Sequence, residues 1–142
     1  ELPRNTLGKV KKNALKTEAF EPANVLLVED EPINAEVVKT MLERNGHIVH
    51  VATTGAAALH LATTVHFNLI LMDINLPDMS GLETTRCIKA QGVNTEIVAL
   101  TGNAYEEDKL KTKEAGMSYH LVKPVMYHEL NNVIKLALRV VH

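Results

Sequence analysis

The chain has 142 residues, 46% of them hydrophobic and 23% charged, with a formal net charge of -2 and one cysteine. That composition supports a single domain with an aliphatic core plus a tail, and it excludes a general nucleic-acid or membrane-surface binder, which needs a strong positive balance. No apolar run reaches the length of a membrane span, no signal-peptide pattern is present, and the lone Cys87 excludes an internal disulfide and suits a reducing compartment such as the cytoplasm.

Residues 1–20 carry a net +3, so the remainder carries -5 and the folded part is acidic. Residues 1–22 are polar and broken by Pro3, Gly8 and Pro22. A weak helical segment fits 10–19, but a solvated linker is the better reading, with the folded domain over 23–142. The first residue is Glu1 rather than Met, which suits a fragment of a longer protein.

Val25-Leu26-Leu27-Val28 reads as a buried strand ending in Glu29-Asp30-Glu31. Pro32 suits a first helical turn, and Ile33, Val37, Val38, Met41 and Leu42 predict one apolar helix face, closed by Asn45-Gly46. Ile48-Val49-His50-Val51 is a more polar strand, expected at a sheet edge. Thr53-Thr54-Gly55 caps a helix whose stripe is Ala58, Leu61, Ala62 and Val65. Leu69-Ile70-Leu71-Met72 is continuously apolar, as a strand covered on both faces must be, and it ends at Asp73. A loop over 77–81 and a weakly periodic helix over 82–91 follow. Ile97-Val98-Ala99-Leu100 ends at Thr101-Gly102-Asn103, and the mostly charged helix over 105–115 has few apolar anchors. Tyr119-His120-Leu121-Val122 ends at Lys123-Pro124. A last helix over 127–140 buries Leu130, Val133, Ile134, Ala137, Leu138 and Val141; Leu136 and Val140 lie off that stripe, as a partner surface or as scattered surface residues.

Strands alternating with helices imply a parallel sheet wound on both faces by right-handed crossovers. In such a sheet all carboxyl ends share one edge, where ligands bind. Glu29, Asp30, Asp73, Thr101 and Lys123 therefore converge from four segments. Three close carboxylates repel unless a cation intervenes. A hard divalent ion such as Mg²⁺ takes one or two of them and leaves room for a phosphate oxygen. With Lys123 and the Thr101 hydroxyl nearby, the set suits a carboxylate that accepts a phosphoryl group. The seven histidines form no i, i+4 helical pair and no second cysteine joins them, so a transition-metal site is not expected.

At Val28-Glu29-Asp30-Glu31, at Met72-Asp73-Ile74-Asn75-Leu76-Pro77-Asp78-Met79-Ser80-Gly81, at Leu100-Thr101-Gly102-Asn103 and at Val122-Lys123-Pro124, the chain resembles the receiver domains of two-component response regulators, most of all those carried in hybrid sensor histidine kinases. The resemblance implies a flavodoxin-like (βα)5 fold with strand order 2-1-3-4-5. It implies Asp73 as phosphoacceptor and Mg²⁺ held by Glu29, Asp30, Asp73 and the Asn75 carbonyl. Thr101 and Lys123 would bind the phosphoryl group, and the Lys123-Pro124 bond would be cis. The domain would catalyse its own aspartyl phosphorylation and dephosphorylation, with a histidine kinase or histidine phosphotransfer domain as phosphoryl donor or acceptor. It would have no nucleic-acid or direct membrane contact, and any tethering to the inner membrane would run through a larger sensor kinase. Whether it pairs with a second copy stays open.

One position departs from the pattern. Where receivers carry a Tyr or Phe switch, this chain has His120, and Tyr119 beside it points to the opposite face. His120 invites a pH-sensitive output. Two rival readings are a receiver-like interaction domain that is never phosphorylated, for which an intact acid, Thr and Lys set has no use, and an aspartyl-nucleophile phosphohydrolase, which needs a second acid where this chain has Asn75.

Overall fold

The computed structural model of the protein describes residues 22–102 and 106–138, the side chains of 106–108 apart. Residues 1–21 of the linker expected over 1–22, its helical segment, Asn103, Tyr105, Val140 and Val141 lie outside the described residues.

Five strands and five helices alternate: β1 (Asn24–Val28), α1 (Pro32–Arg44), β2 (Ile48–Ala52), α2 (Gly55–Thr64), β3 (Leu69–Asp73), α3 (Gly81–Ala90), β4 (Glu96–Thr101), α4 (Glu106–Ala115), β5 (Tyr119–Val122) and α5 (Tyr127–Leu138). Every strand pair is parallel and the sheet order is β2-β1-β3-β4-β5, the flavodoxin-like order. The alternation of β-strand side chains splits the core in two. Val25, Leu27, Leu69, Leu71, Val98 and Leu100 face α1 and α5, where Val38, Leu42, Leu130 and Ile134 meet them. Leu26, Val28, Ile70, Met72, Ile97 and Ala99 face the other way, toward Ala58, Ala62, Ile88 and Met117. The inner strands are apolar throughout because neither face sees water. β2 is an edge strand, as its polarity predicts, and Ile48 on it stays exposed.

Two helix faces differ from the sequence pattern. On α1 the buried residues are Ala35, Val38 and Leu42, while Ile33 is 73% and Val37 47% exposed. The apolar face expected to include Ile33 and Val37 is rotated: the small Ala35 lets the helix lie close to the sheet, and the larger pair stands in solvent. On α3 the weak periodicity has a cause. Its buried face is Gly81, Thr84, Thr85 and Ile88, so two threonines sit where an apolar pattern looks for leucines. Thr84 returns its hydroxyl to the Ser80 carbonyl at 2.9 Å, a helix-internal bond that makes burial tolerable. Thr85 Oγ1 is buried with no hydrogen-bond partner.

The helix starts fix the loops at the carboxyl edge. Glu31 accepts from the Ile33 amide to open α1, Thr54 from the Ala57 amide to open α2, and Ser80 from the Glu83 amide to open α3. β1, β2 and β3 therefore leave the sheet through pinned segments.

Candidate functional site

Glu29, one residue past β1, and Asp73, the last residue of β3, are each 1% exposed, which is unusual for carboxylates. Their position follows from the strands: β1 and β3 are hydrogen-bonded neighbours, with Val28 paired to Met72, so the residues that follow emerge side by side. Asp30 stands exposed beside them. One oxygen from each of Glu29, Asp30 and Asp73 lies within 4.8 Å of the others, the one such acidic group among the described residues.

Lys123 reaches in from the end of β5. Its Nζ lies 2.9 Å from Asp73 Oδ2 and 3.0 Å from Glu29 Oε1. The Lys123 amide donates to the Thr101 carbonyl at 2.8 Å, which extends the β4–β5 ladder by one bond and sets the lysine at this height. Thr101 itself is buried at the end of β4. The second oxygens are also occupied: Asp73 Oδ1 accepts the Asn75 amide at 3.0 Å, and Glu29 Oε2 accepts the Glu31 amide at 3.2 Å. Asn75 thereby turns back over Asp73, with its own side chain exposed.

The electrostatics follow from that packing. Burial, reinforced by the neighbouring Asp73, pushes the Glu29 carboxyl up against the pull of Lys123. Burial alone would lower Lys123, but its two carboxylate partners outweigh it and raise the ammonium. A carboxylate pair with one lysine still carries excess negative charge, and hard oxygen donors from three side chains meet there. That donor set fits a hard divalent cation such as Mg²⁺, which dehydrates reluctantly and uses few protein ligands.

The loop from Ile74 to Ser80 closes the site. The Ile74 amide donates to Leu100 O at 3.1 Å and the Gly81 amide to Ile74 O at 2.7 Å. A Cβ on Gly81 would lie 2.1 Å from the Asp73 carbonyl oxygen, so only glycine permits this approach. The Lys123-Pro124 bond is cis.

His120 lies apart from the acids. It pairs with Ala99 across the ladder and sends its ring to α4, where Nε2 meets Thr112 Oγ1. The Thr112 hydroxyl also reaches the Lys109 carbonyl at 2.9 Å, which leaves its oxygen able to accept from His120 Nε2. Tyr119 points to the opposite face, its hydroxyl 3.4 Å from the Leu136 carbonyl. Burial and the Lys109 charge both lower the His120 pKa. The sequence pattern did not single out Thr112, a lone hydroxyl in a charged helix, nor the contacts of Asp78 described below.

The structure thus brings Glu29, Asp30, Asp73 and Lys123 into one cluster, with Thr101 and Asn75 at its margin and His120 on the α4 side. The family profile described as the response regulator receiver domain matches residues 25–135. The aerobic respiration control sensor protein ArcB of Escherichia coli is 41% identical over 115 residues, covering 79% of this chain and 15% of ArcB. The cell cycle transcriptional regulator CtrA of Caulobacter vibrioides is 34% identical over 106 residues, covering 75% of this chain and 46% of CtrA. The chain thus spans less than half the length of either relative. The crystal structure of the receiver domain of a sensor histidine kinase from Pseudomonas aeruginosa, with a magnesium ion in its active-site cleft, superposes with a TM-score of 0.78 at 35% identity, covering 84% of this chain and 99% of that one.

Proposed function

The chain belongs to the response regulator receiver domain family, and from that premise we propose that it is the phosphoacceptor of a two-component phosphorelay, with Asp73 as the residue phosphorylated. Residues 23–142 form the receiver in this reading and 1–22 a linker to the rest of a hybrid sensor histidine kinase; the match to 15% of the sensor protein ArcB supports a larger parent chain. The observation that carries the proposal is the pairing of two buried carboxylates with one lysine at the sheet's carboxyl edge.

An Asp73 carboxylate oxygen forms a P–O bond as the P–N bond of a phosphohistidine breaks, and the departing imidazole keeps the electron pair and takes up a proton. Lys123 already points at Asp73 Oδ2 and neutralises charge on the transferred group. Glu29, Asp30, Asp73 and the Asn75 carbonyl would hold Mg²⁺, which would supply positive charge beside the phosphoryl group. Thr101 supplies a hydroxyl donor to the product. Hydrolysis of the acyl phosphate by water regenerates Asp73 and inorganic phosphate. The magnesium ion in the Pseudomonas aeruginosa receiver supports the metal assignment by likeness.

A histidine-bearing partner must cover the acid cluster to reach Asp73. Ile33 and Val37, left in solvent on the helix that starts beside Asp30, give it an apolar landing surface. The reading makes contact with a histidine kinase or phosphotransfer domain the output and input of the module, and a homodimer is not needed for it. No helix among the described residues is long and apolar enough to cross a membrane.

The test is transfer from a phosphorylated histidine phosphotransfer domain. The reading predicts a label on the wild type that survives acid and is released by hydroxylamine, none on Asp73→Asn, and none when the divalent metal is chelated. Label that appears equally on Asp73→Asn sinks it and favours a plain interaction domain.

A further inference from the structure

The loop that carries Asn75 is held at its far end by a residue that phosphoryl transfer itself does not require. Asp78 Oδ1 accepts the Gly55 amide at 2.7 Å, and Oδ2 accepts the Ala56 amide at 2.9 Å. These amides belong to the first turn of α2, where backbone donors lack helical partners. The helix already has a local cap, since Thr54 Oγ1 accepts the Ala57 amide at 3.1 Å. The Asp78 carboxylate, arriving from 23 residues downstream, takes two other amides of the same turn and so ties its own loop to the start of α2. What it fixes is the loop.

Two further contacts seat the same loop. A Cβ on Gly55 would lie 2.4 Å from Met79 Cγ and 2.6 Å from Thr84 Oγ1, so Met79 rests directly on the α2 backbone. At the other end Gly81 packs on the Asp73 carbonyl, and its amide holds Ile74. The residues between are pinned on both sides. The negative Asp78 suits a helix amino end, and charge-assisted bonds to amides are the stronger kind. The two amides also hold the Asp78 carboxyl below the usual aspartate range, so it is ionised at neutral pH.

We propose that Asp78 is a positioning residue for the metal site: by bridging to the Gly55 and Ala56 amides it fixes the loop on which Asn75 turns back over Asp73. The start of α2 then acts as a wall of a site it does not touch. This rests on the Mg²⁺-dependent reading given above.

Thr54→Ala supplies the control, because it removes a cap from the same helix without touching the loop. Calorimetric Mg²⁺ titration and amide hydrogen exchange of the metal-free protein are measured on wild type, Asp78→Ala, Asp78→Asn and Thr54→Ala. Asp78→Ala is expected to weaken Mg²⁺ binding roughly tenfold, in the range for residues that orient metal ligands. It is also expected to speed exchange at the Asn75 and Gly81 amides. Asp78→Asn, with one acceptor left, falls between, and it decides the matter should Asp78→Ala not fold. Thr54→Ala is expected to lower thermal stability while keeping wild-type Mg²⁺ affinity and wild-type exchange at both amides. Asp78 variants that match Thr54→Ala in Mg²⁺ affinity and loop exchange overturn the proposal and leave Asp78 as a second helix cap. A wild type that takes up no Mg²⁺ overturns the metal reading itself, while the exchange data still decide whether Asp78 holds the loop.

Discussion

Lys123 and His120 stand three residues apart, yet they are held in opposite ways. Lys123 ends in two charge-assisted contacts to buried carboxylates, and its amide is locked to Thr101. His120 ends in one contact to a neutral hydroxyl on α4. The helices differ in the same sense. α1 sinks Ala35, Val38 and Leu42 into the core, whereas the buried residues of α4 between 109 and 115 are Thr112 and Ala115, and its Leu110 is 59% exposed. Among the described residues the acid edge is held by charge-assisted contacts, and the α4 flank by a polar contact and the small buried Thr112 and Ala115. Elements drawn from the low-stability end of a fold are the ones that move in switching. In this chain the contact joining β5 to α4 is polar.

The contrast can be broken from the strong side first. Lys123→Met leaves Glu29 and Asp73 buried without their counter-charge, and about 3 kcal/mol of stability should go, the low end for breaking a buried pair. Mg²⁺ should restore much of it by binding the folded state alone. Denaturant melts with and without the metal check both statements.

A second test uses pH. The Glu29 carboxyl is raised on folding, so its contribution to metal-free stability is present below the ordinary glutamate range and is lost as pH rises through its folded value. Mg²⁺ needs the ionised form, so its affinity should rise across the same window, by up to about tenfold per pH unit if one proton is released. Titrations across a pH series read this directly. His120 has the opposite sign. Its folded pKa is lowered, so its contribution is present above the usual histidine range and is lost as pH falls through the folded value. The stability loss on acidification should shrink in His120→Phe.

On the weak side, Thr112→Val removes the acceptor for His120 and should cost about 1 kcal/mol, the worth of one hydrogen bond. The loss should show as faster amide exchange confined to α4, with Mg²⁺ affinity unchanged. The smallest expected effect is a gain. Thr85→Val replaces a buried hydroxyl that has no partner with a methyl of the same shape, and it should stabilise by roughly 0.5–1 kcal/mol, measured by chemical denaturation.

The strands and their order of use were legible because continuous apolar runs in a chain of alternating elements have few other interpretations. The acid cluster was legible for the same reason: a parallel sheet delivers every strand's last residue to one edge, so Glu29, Asp73, Thr101 and Lys123 needed no long-range knowledge. What escaped depends on distance or on size. Ile33 and Val37 fit an apolar face by spacing, but Ala35 decides which side packs, and an alanine carries little pattern. Thr84 and Thr85 are buried polar residues that no hydrophobic period detects. Asp78 takes the Gly55 amide 23 residues upstream, a contact without local spacing. The Thr112 partner of His120 is hidden in a run of charge.

The central claim is that Asp73 takes a phosphoryl group with the help of a divalent ion. Intact-mass analysis after incubation with acetyl phosphate and Mg²⁺ tests it most directly, because the small donor bypasses any partner surface. The account predicts one added phosphoryl group on wild type, lost on treatment with hydroxylamine, and no added mass on Asp73→Asn or in the presence of chelator. An unmodified wild type under these conditions and with a phosphohistidine donor, or an adduct that persists in Asp73→Asn, would contradict it.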